Sequence, residues 1–66
     1  MYLILNGSKK EIAEKTTIKE LLLQMGLEPE KVVVEHNYNV AAKEYWDNTV
    51  LKDKDKLEIL KFVGGG

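Results

Sequence analysis

Thr16-Thr17-Ile18-Lys19-Glu20-Leu21-Leu22-Leu23-Gln24-Met25-Gly26, residues 16–26, is the stretch that decides the fold. Thr17 and Glu20 have capping-box spacing, in which a hydroxyl and a carboxylate each satisfy a backbone N–H left without a partner by the first helical turn. Ile18, Leu21, Leu22 and Met25 then recur at i, i+3, i+4 and i+7, one apolar face of a helix of about two turns. Gly26 stops that helix, because glycine tolerates the left-handed conformation common just past a helix end. Leu23 lies off the stripe and reads as a surface residue or as the margin of a wider apolar face.

Outward from the helix the pattern changes to strands. Glu28-Pro29-Glu30 makes a connection, since proline pushes the residue before it out of helical backbone. Val32 to Glu35 is a β-branched strand, followed by a turn at Asn37-Tyr38-Asn39 and a short extended piece around Val40. Ala42 to Asn48 has no strong period and reads as a short helical turn, with Trp46 anchoring the loop to the core. Lys52-Asp53-Lys54-Asp55 reads as a solvated polar turn, and Lys56 to Val63 as the last strand. On the amino-terminal side, Met1 to Leu5 is apolar at every position, as expected of a strand in the interior of a sheet. Asn6-Gly7 then suits a tight hairpin turn into a return strand around Lys10 to Ala13. The order predicts an α+β fold: a mixed sheet of four to five strands with one main helix across one face.

Composition bounds the chemistry. The chain has 66 residues, 44% of them apolar, enough for one small core and too little for a deep substrate cavity. Cysteine is absent, which removes disulfides, thiolate nucleophiles and thiolate metal sites. Ten lysines and no arginine against eleven acids give a net charge of −1, a poor match for nucleic acid. The longest apolar run, Met1 to Leu5, is far short of the roughly 20 residues of a spanning helix, so the expectation is a cytoplasmic protein with no membrane partner. His36 is the only histidine and no acids stand at ligand spacing around it, so no metal site is expected. The remaining acids are scattered and pair no two carboxylates for acid–base work.

The last strand breaks strict alternation. Leu57 and Ile59 share one face, while Leu60 and Phe62 fall on the side of Glu58. Either a bulge after Ile59 turns Leu60 and Phe62 inward, or they form an apolar patch on the open face; the pattern leaves both readings open. The division is a domain over residues 1–63 and a flexible tail, Gly64-Gly65-Gly66. Glycines contribute no packing and lose the most freedom on ordering, so the pattern alone reads either as a frayed end or as a slim tail that over three residues reaches about 10 Å into a narrow channel.

These residues resemble the ubiquitin-like β-grasp sulfur carriers over the whole chain, most closely the ThiS branch of the thiamine pathway. The resemblance is carried by Asn6-Gly7, Thr16-Thr17-Ile18, Leu21-Leu22, Gly26-Leu27, Val32-Val33-Val34-Glu35 and Asn37. It continues through Trp46, Leu51-Lys52-Asp53, Asp55, Glu58-Ile59 and the terminal Val63-Gly64-Gly65-Gly66. His36 departs from an often apolar position, and Tyr38 and Lys54 stand where the family often has glycine, so those two turns must change type or place a Cβ at positive φ.

The resemblance implies a carrier rather than an enzyme, a protein cosubstrate with no cofactor of its own. A ubiquitin-activating-type enzyme would use ATP to adenylate Gly66. A cysteine desulfurase system would supply the sulfur that makes the thiocarboxylate, and thiazole synthase would consume it. Gly64 and Gly65 would thread into partner sites, and Leu60, Phe62 and Val63 would dock the partner. The small subunit of molybdopterin synthase and a ubiquitin-like modifier or interaction module are the alternatives.

Overall fold

The computed structural model describes residues 1–62; Val63 and the glycines Gly64, Gly65 and Gly66 lie outside the described residues. Five strands form one sheet: β1 (Tyr2–Leu5), β2 (Ser8–Glu11), β3 (Val32–His36), β4 (Asn39–Val40) and β5 (Lys56–Lys61), in the order β2-β1-β5-β3-β4. The sheet is mixed, because β1 and β5 run parallel while the other neighbours are antiparallel. The helix α1 (Ile18–Gln24) covers one face.

The helix ends follow from residues 16–27. Thr17 Oγ1 accepts from the Glu20 N–H at 3.1 Å and Glu20 Oε1 accepts from the Thr17 N–H at 2.9 Å, the reciprocal capping box. At the other end Gly26 takes φ +72°, the Leu27 N–H reaches the Leu22 carbonyl at 2.9 Å and the Gly26 N–H reaches the Leu23 carbonyl at 3.0 Å. This is a Schellman motif, and it brings Leu27 back against the core. Ile18, Leu21 and Leu22 are buried as the periodicity requires. Met25 is not: it keeps helical backbone as the C-cap, its N–H donating to the Leu21 carbonyl at 3.0 Å, but it stands at the helix end and is 36% exposed, while Leu23 is exposed as a surface residue.

The hairpin departs from expectation in its boundary. Asn6 and Gly7 both take positive φ, at 48° and 83°, so the turn closes within these two residues and Ser8 already pairs with Leu5. The return strand is therefore Ser8–Glu11, starting before Lys10 and ending before Ala13. Of the apolar first strand only Leu3 is fully buried, against the helix side; Tyr2 and Ile4 are half-covered on the other face.

Trp46 anchors its loop by more than packing. It is buried, its indole N–H donates to the Ala41 carbonyl at 2.8 Å, and its own carbonyl accepts from the Lys19 N–H. The Thr49 carbonyl accepts from the Ile18 N–H at 3.1 Å, so this loop satisfies two backbone donors that the helix start leaves free. Among the described residues no helix is long and apolar enough to cross a membrane.

The turn at residues 52–55 is solvated at Lys52, Asp53 and Lys54, as its charges imply, but not at Asp55. Asp55 is 9% exposed and accepts from the His36 ring Nε2 at 2.8 Å, the Lys52 N–H at 2.9 Å and the Asn37 amide at 3.1 Å. Lys54 adopts φ +70° there and its N–H donates to the Tyr2 carbonyl at 2.7 Å.

Candidate docking face and carboxyl tail

The register between β3 and β5 is unbroken: Val32 pairs with Lys61, Val33 with Leu60, Val34 with Ile59, Glu35 with Glu58 and His36 with Leu57. There is no bulge after Ile59, and the inward reading of Leu60 and Phe62 fails. Strict alternation places Leu57 and Ile59 in the core, and Glu58 and Leu60 on the face away from the helix. Leu60 is 56% exposed and Phe62 47%, with Val33 beside Leu60 on the next strand. The Phe62 N–H donates to the Lys31 carbonyl at 3.0 Å, which fixes the chain where it leaves the described region. Two of the expected docking residues are thus exposed, Leu60 on the open face beside Val33 and Phe62 just past the strand, bordering a depression with Pro29, Val33 and Trp46; Val63, and the tail residues Gly64, Gly65 and Gly66, lie outside the described residues.

Asn6 holds this strand in a way that its role as a turn residue did not disclose. Its side-chain oxygen accepts from the Ile59 N–H at 2.7 Å, its amide donates to the Ile59 carbonyl at 3.3 Å, and its backbone N–H donates to the Leu57 carbonyl at 2.9 Å. The side chain continues the β1–β5 ladder past the point where β1 turns away.

The same face carries charge. A depression of about 290 Å³ is lined by Ile4, Gly7, Glu35, Tyr38, Lys56 and Glu58. Lys56 Nζ donates to the Tyr38 hydroxyl at 2.6 Å and sits 5.1 Å from the centre of its ring, and the hydroxyl raises the Lys56 ammonium above its ordinary pKa. Tyr38 occupies a position of φ +73° after Asn37 at +50°, so the turn keeps positive φ despite the side chain. Of the carboxylates, Asp55 lies below its ordinary value: burial alone would raise it, and the hydrogen bonds from His36, Lys52 and Asn37 together outweigh that.

The chain matches the ThiS family over residues 3–66. It belongs to that family. The sulfur carrier protein ThiS of Bacillus subtilis is 42% identical over 63 residues, spanning 94% of this chain and 96% of its own length. Thiazole synthases of Paramagnetospirillum magneticum and Magnetococcus marinus are 36% and 38% identical over 66 residues; the chain spans only 20% of the length of either. The crystal structure of the thiamine biosynthesis protein ThiS from Geobacter metallireducens superimposes with a TM-score of 0.86 at 39% identity, over the full length of both chains. The five-stranded mixed sheet with a single helix is accordingly the β-grasp of the ubiquitin-like sulfur carriers.

Proposed function

We propose that this ThiS-family chain is the sulfur carrier of thiazole formation in thiamine biosynthesis, with Gly66 as the residue that bears the sulfur. The observation that carries this reading is the family match running through residue 66, so that the glycine tail belongs to the matched region. The matches to thiazole synthases favour the thiamine branch over the molybdopterin branch.

A terminal carboxylate, with an ordinary pKa of about 3.3–3.7, is an anion at neutral pH and a poor electrophile. Attack by the carboxylate of Gly66 on the α-phosphorus of ATP, with loss of pyrophosphate, gives an acyl adenylate. The terminal sulfur of a persulfide, delivered by a cysteine desulfurase system, then displaces AMP to give an acyl disulfide, and a second thiol attacking the carrier cysteine's sulfur releases the thiocarboxylate and leaves a disulfide between the two thiols. A ubiquitin-activating-type partner supplies the ATP site and thiazole synthase takes the sulfur, so the chain acts as a cytoplasmic cosubstrate and binds no cofactor itself. Gly64 and Gly65 present no side chain where both partners must close around the backbone. Leu60, Phe62 and Val63 set the docking surface at the root of the tail.

Incubation with the activating enzyme, ATP and a sulfur donor is expected to exchange one oxygen for sulfur at Gly66, read by intact-protein mass spectrometry. The same system leaving the mass unchanged refutes the reading.

A further inference from the structure

Glu35 and Glu58 stand directly opposite one another on β3 and β5, on the uncovered face of the sheet. Like charges in that position repel and destabilise the pair. Within the described residues neither carboxylate has an ion-pair partner. The cation best placed to neutralise them is Lys56, two residues before Glu58 on the same face, and it is turned aside onto Tyr38. Lys9, on the same face through its pairing with Ile4, is likewise held over an aromatic ring, 4.3 Å from the centre of Tyr2. Both lysines of this face are thus occupied by tyrosines while the two acids are left open.

Their surroundings fit a protein partner rather than a free ion. The next rung of the same face is the exposed apolar pair Val33 and Leu60, and Val40 flanks Glu35 on the far side. A pair of charges bordered by apolar side chains gains strength when a partner covers the border and excludes water. Two adjacent carboxylates beside a tyrosine ring match the planar, multiply donating guanidinium better than a compact ammonium.

We infer that the depression bounded by Glu35, Glu58, Tyr38 and Lys56 receives an arginine side chain of the partner protein, and that Tyr38 keeps the place open by holding Lys56 away from it. The inference rests on the carrier reading above and adds the charge that the partner must present: a cation set within an apolar surface complementary to Val33 and Leu60. Tyr38 then has a use for its positive φ, since glycine at that position would leave Lys56 free to swing onto Glu58.

The test measures binding of the full chain to the thiazole synthase of its own organism, at low and at physiological salt. Glu35→Gln with Glu58→Gln is expected to weaken binding about tenfold or more and to flatten its salt dependence. A control that removes two remote exposed acids, Glu14→Gln with Glu44→Gln, is expected to leave affinity within about twofold. Tyr38→Gly is expected to weaken binding by removing the ring and releasing Lys56, and Tyr38→Gly combined with Lys56→Gln to recover the part of the loss that the released Lys56 causes. The thermal midpoint of the Glu35/Glu58 variant is expected to equal or exceed the wild-type value, because repulsion is removed. Unchanged affinity of that variant, equal weakening by the control, or a lowered midpoint each overturns the inference while leaving the carrier reading intact. A wild-type chain that gains the thiocarboxylate but does not bind the synthase overturns the inference and, with it, the thiazole-synthase step of the carrier reading, while activation at Gly66 stands; one that does neither overturns both readings entirely.

Discussion

Replacing Asp55 by alanine removes one acceptor group on which three donors converge: the His36 ring at 2.8 Å, the Lys52 N–H at 2.9 Å and the Asn37 amide at 3.1 Å. A hydrogen bond to a charged group contributes about 1.5–3 kcal/mol and a neutral one about 1, and contributions that share an atom fall short of their sum. A loss of about 3–4 kcal/mol is expected, because the donors around this 9% exposed side chain would face partial burial without a partner. Set against about 3–10 kcal/mol for a chain of 66 residues, this is a large share of the total. Asp55→Asn keeps an acceptor for Lys52 but turns an NH₂ toward another donor, and is expected to cost about 1–2 kcal/mol. Urea unfolding at pH 7, followed by Trp46 fluorescence, measures both. The sign of the pH dependence follows from the lowered Asp55 pKa. The unfolded chain takes up a proton near the ordinary 3.8 and the folded chain only below it, so the contribution is complete above about pH 4 and is lost as pH falls through the folded value. Asp55→Asn should flatten that limb. A loss below about 1 kcal/mol for the alanine variant would mean that the Asp55 carboxylate is solvated rather than held by its donors and would refute the reasoning.

Two further outcomes follow from the exposed strand end and its tie. Phe62→Asp is expected to change stability by no more than about 0.5 kcal/mol, since the ring is 47% exposed, and to weaken partner binding; a variant that loses cooperative unfolding would show that the ring is core. Asn6→Gly keeps the positive φ of the turn but removes both side-chain bonds to Ile59, with an expected loss of about 1–2 kcal/mol in urea unfolding; a glycine variant as stable as the wild type would show that those bonds add nothing.

Legibility in the sequence followed the distance over which each feature is determined. The capping box, the helix face and the Gly26 stop depend on residues within one short window, and all three stand in the structure. Met25 keeps the helical position that the periodicity gives it, yet is exposed because Gly26 ends the helix there and no further turn extends the buried face. The fate of Leu60 and Phe62 was ambiguous for a different reason: both faces of β5 carry apolar residues, and alternation cannot say which face the helix covers. Asp55 and Asn6 could not be read at all as the holders they are. Asp55 draws donors 18 and 19 positions away, and the Asn6 amide bonds a strand 53 positions away, so their residue types reported only the local turns. The pairing of Glu35 with Glu58 likewise exists only once the register is fixed.

The place of β5 in the sheet bears on how a small domain would present the glycine tail that the carrier proposal requires. A seven-residue helix covers one face and leaves the other uncovered, so Val33 and Leu60 remain on the surface without any loss to the core. The strand that runs to the carboxyl end is the middle one of five, flanked by β1 and β3, rather than an edge. Its exit is secured on three counts: Asn6 bonds Ile59 from the β1 side, Val32 pairs with Lys61 from the β3 side, and Lys31 accepts from the Phe62 N–H. Ordering a tail into a partner's site costs conformational entropy residue by residue, and that cost is smallest when the ordered scaffold extends to the tail's root. If the scaffold serves this purpose, loosening the exit without touching the docking face should raise the KM for adenylation while leaving kcat near its wild-type value. Asn6→Gly, which removes only the Ile59 tie, is the variant that separates this anchoring role from a purely structural one.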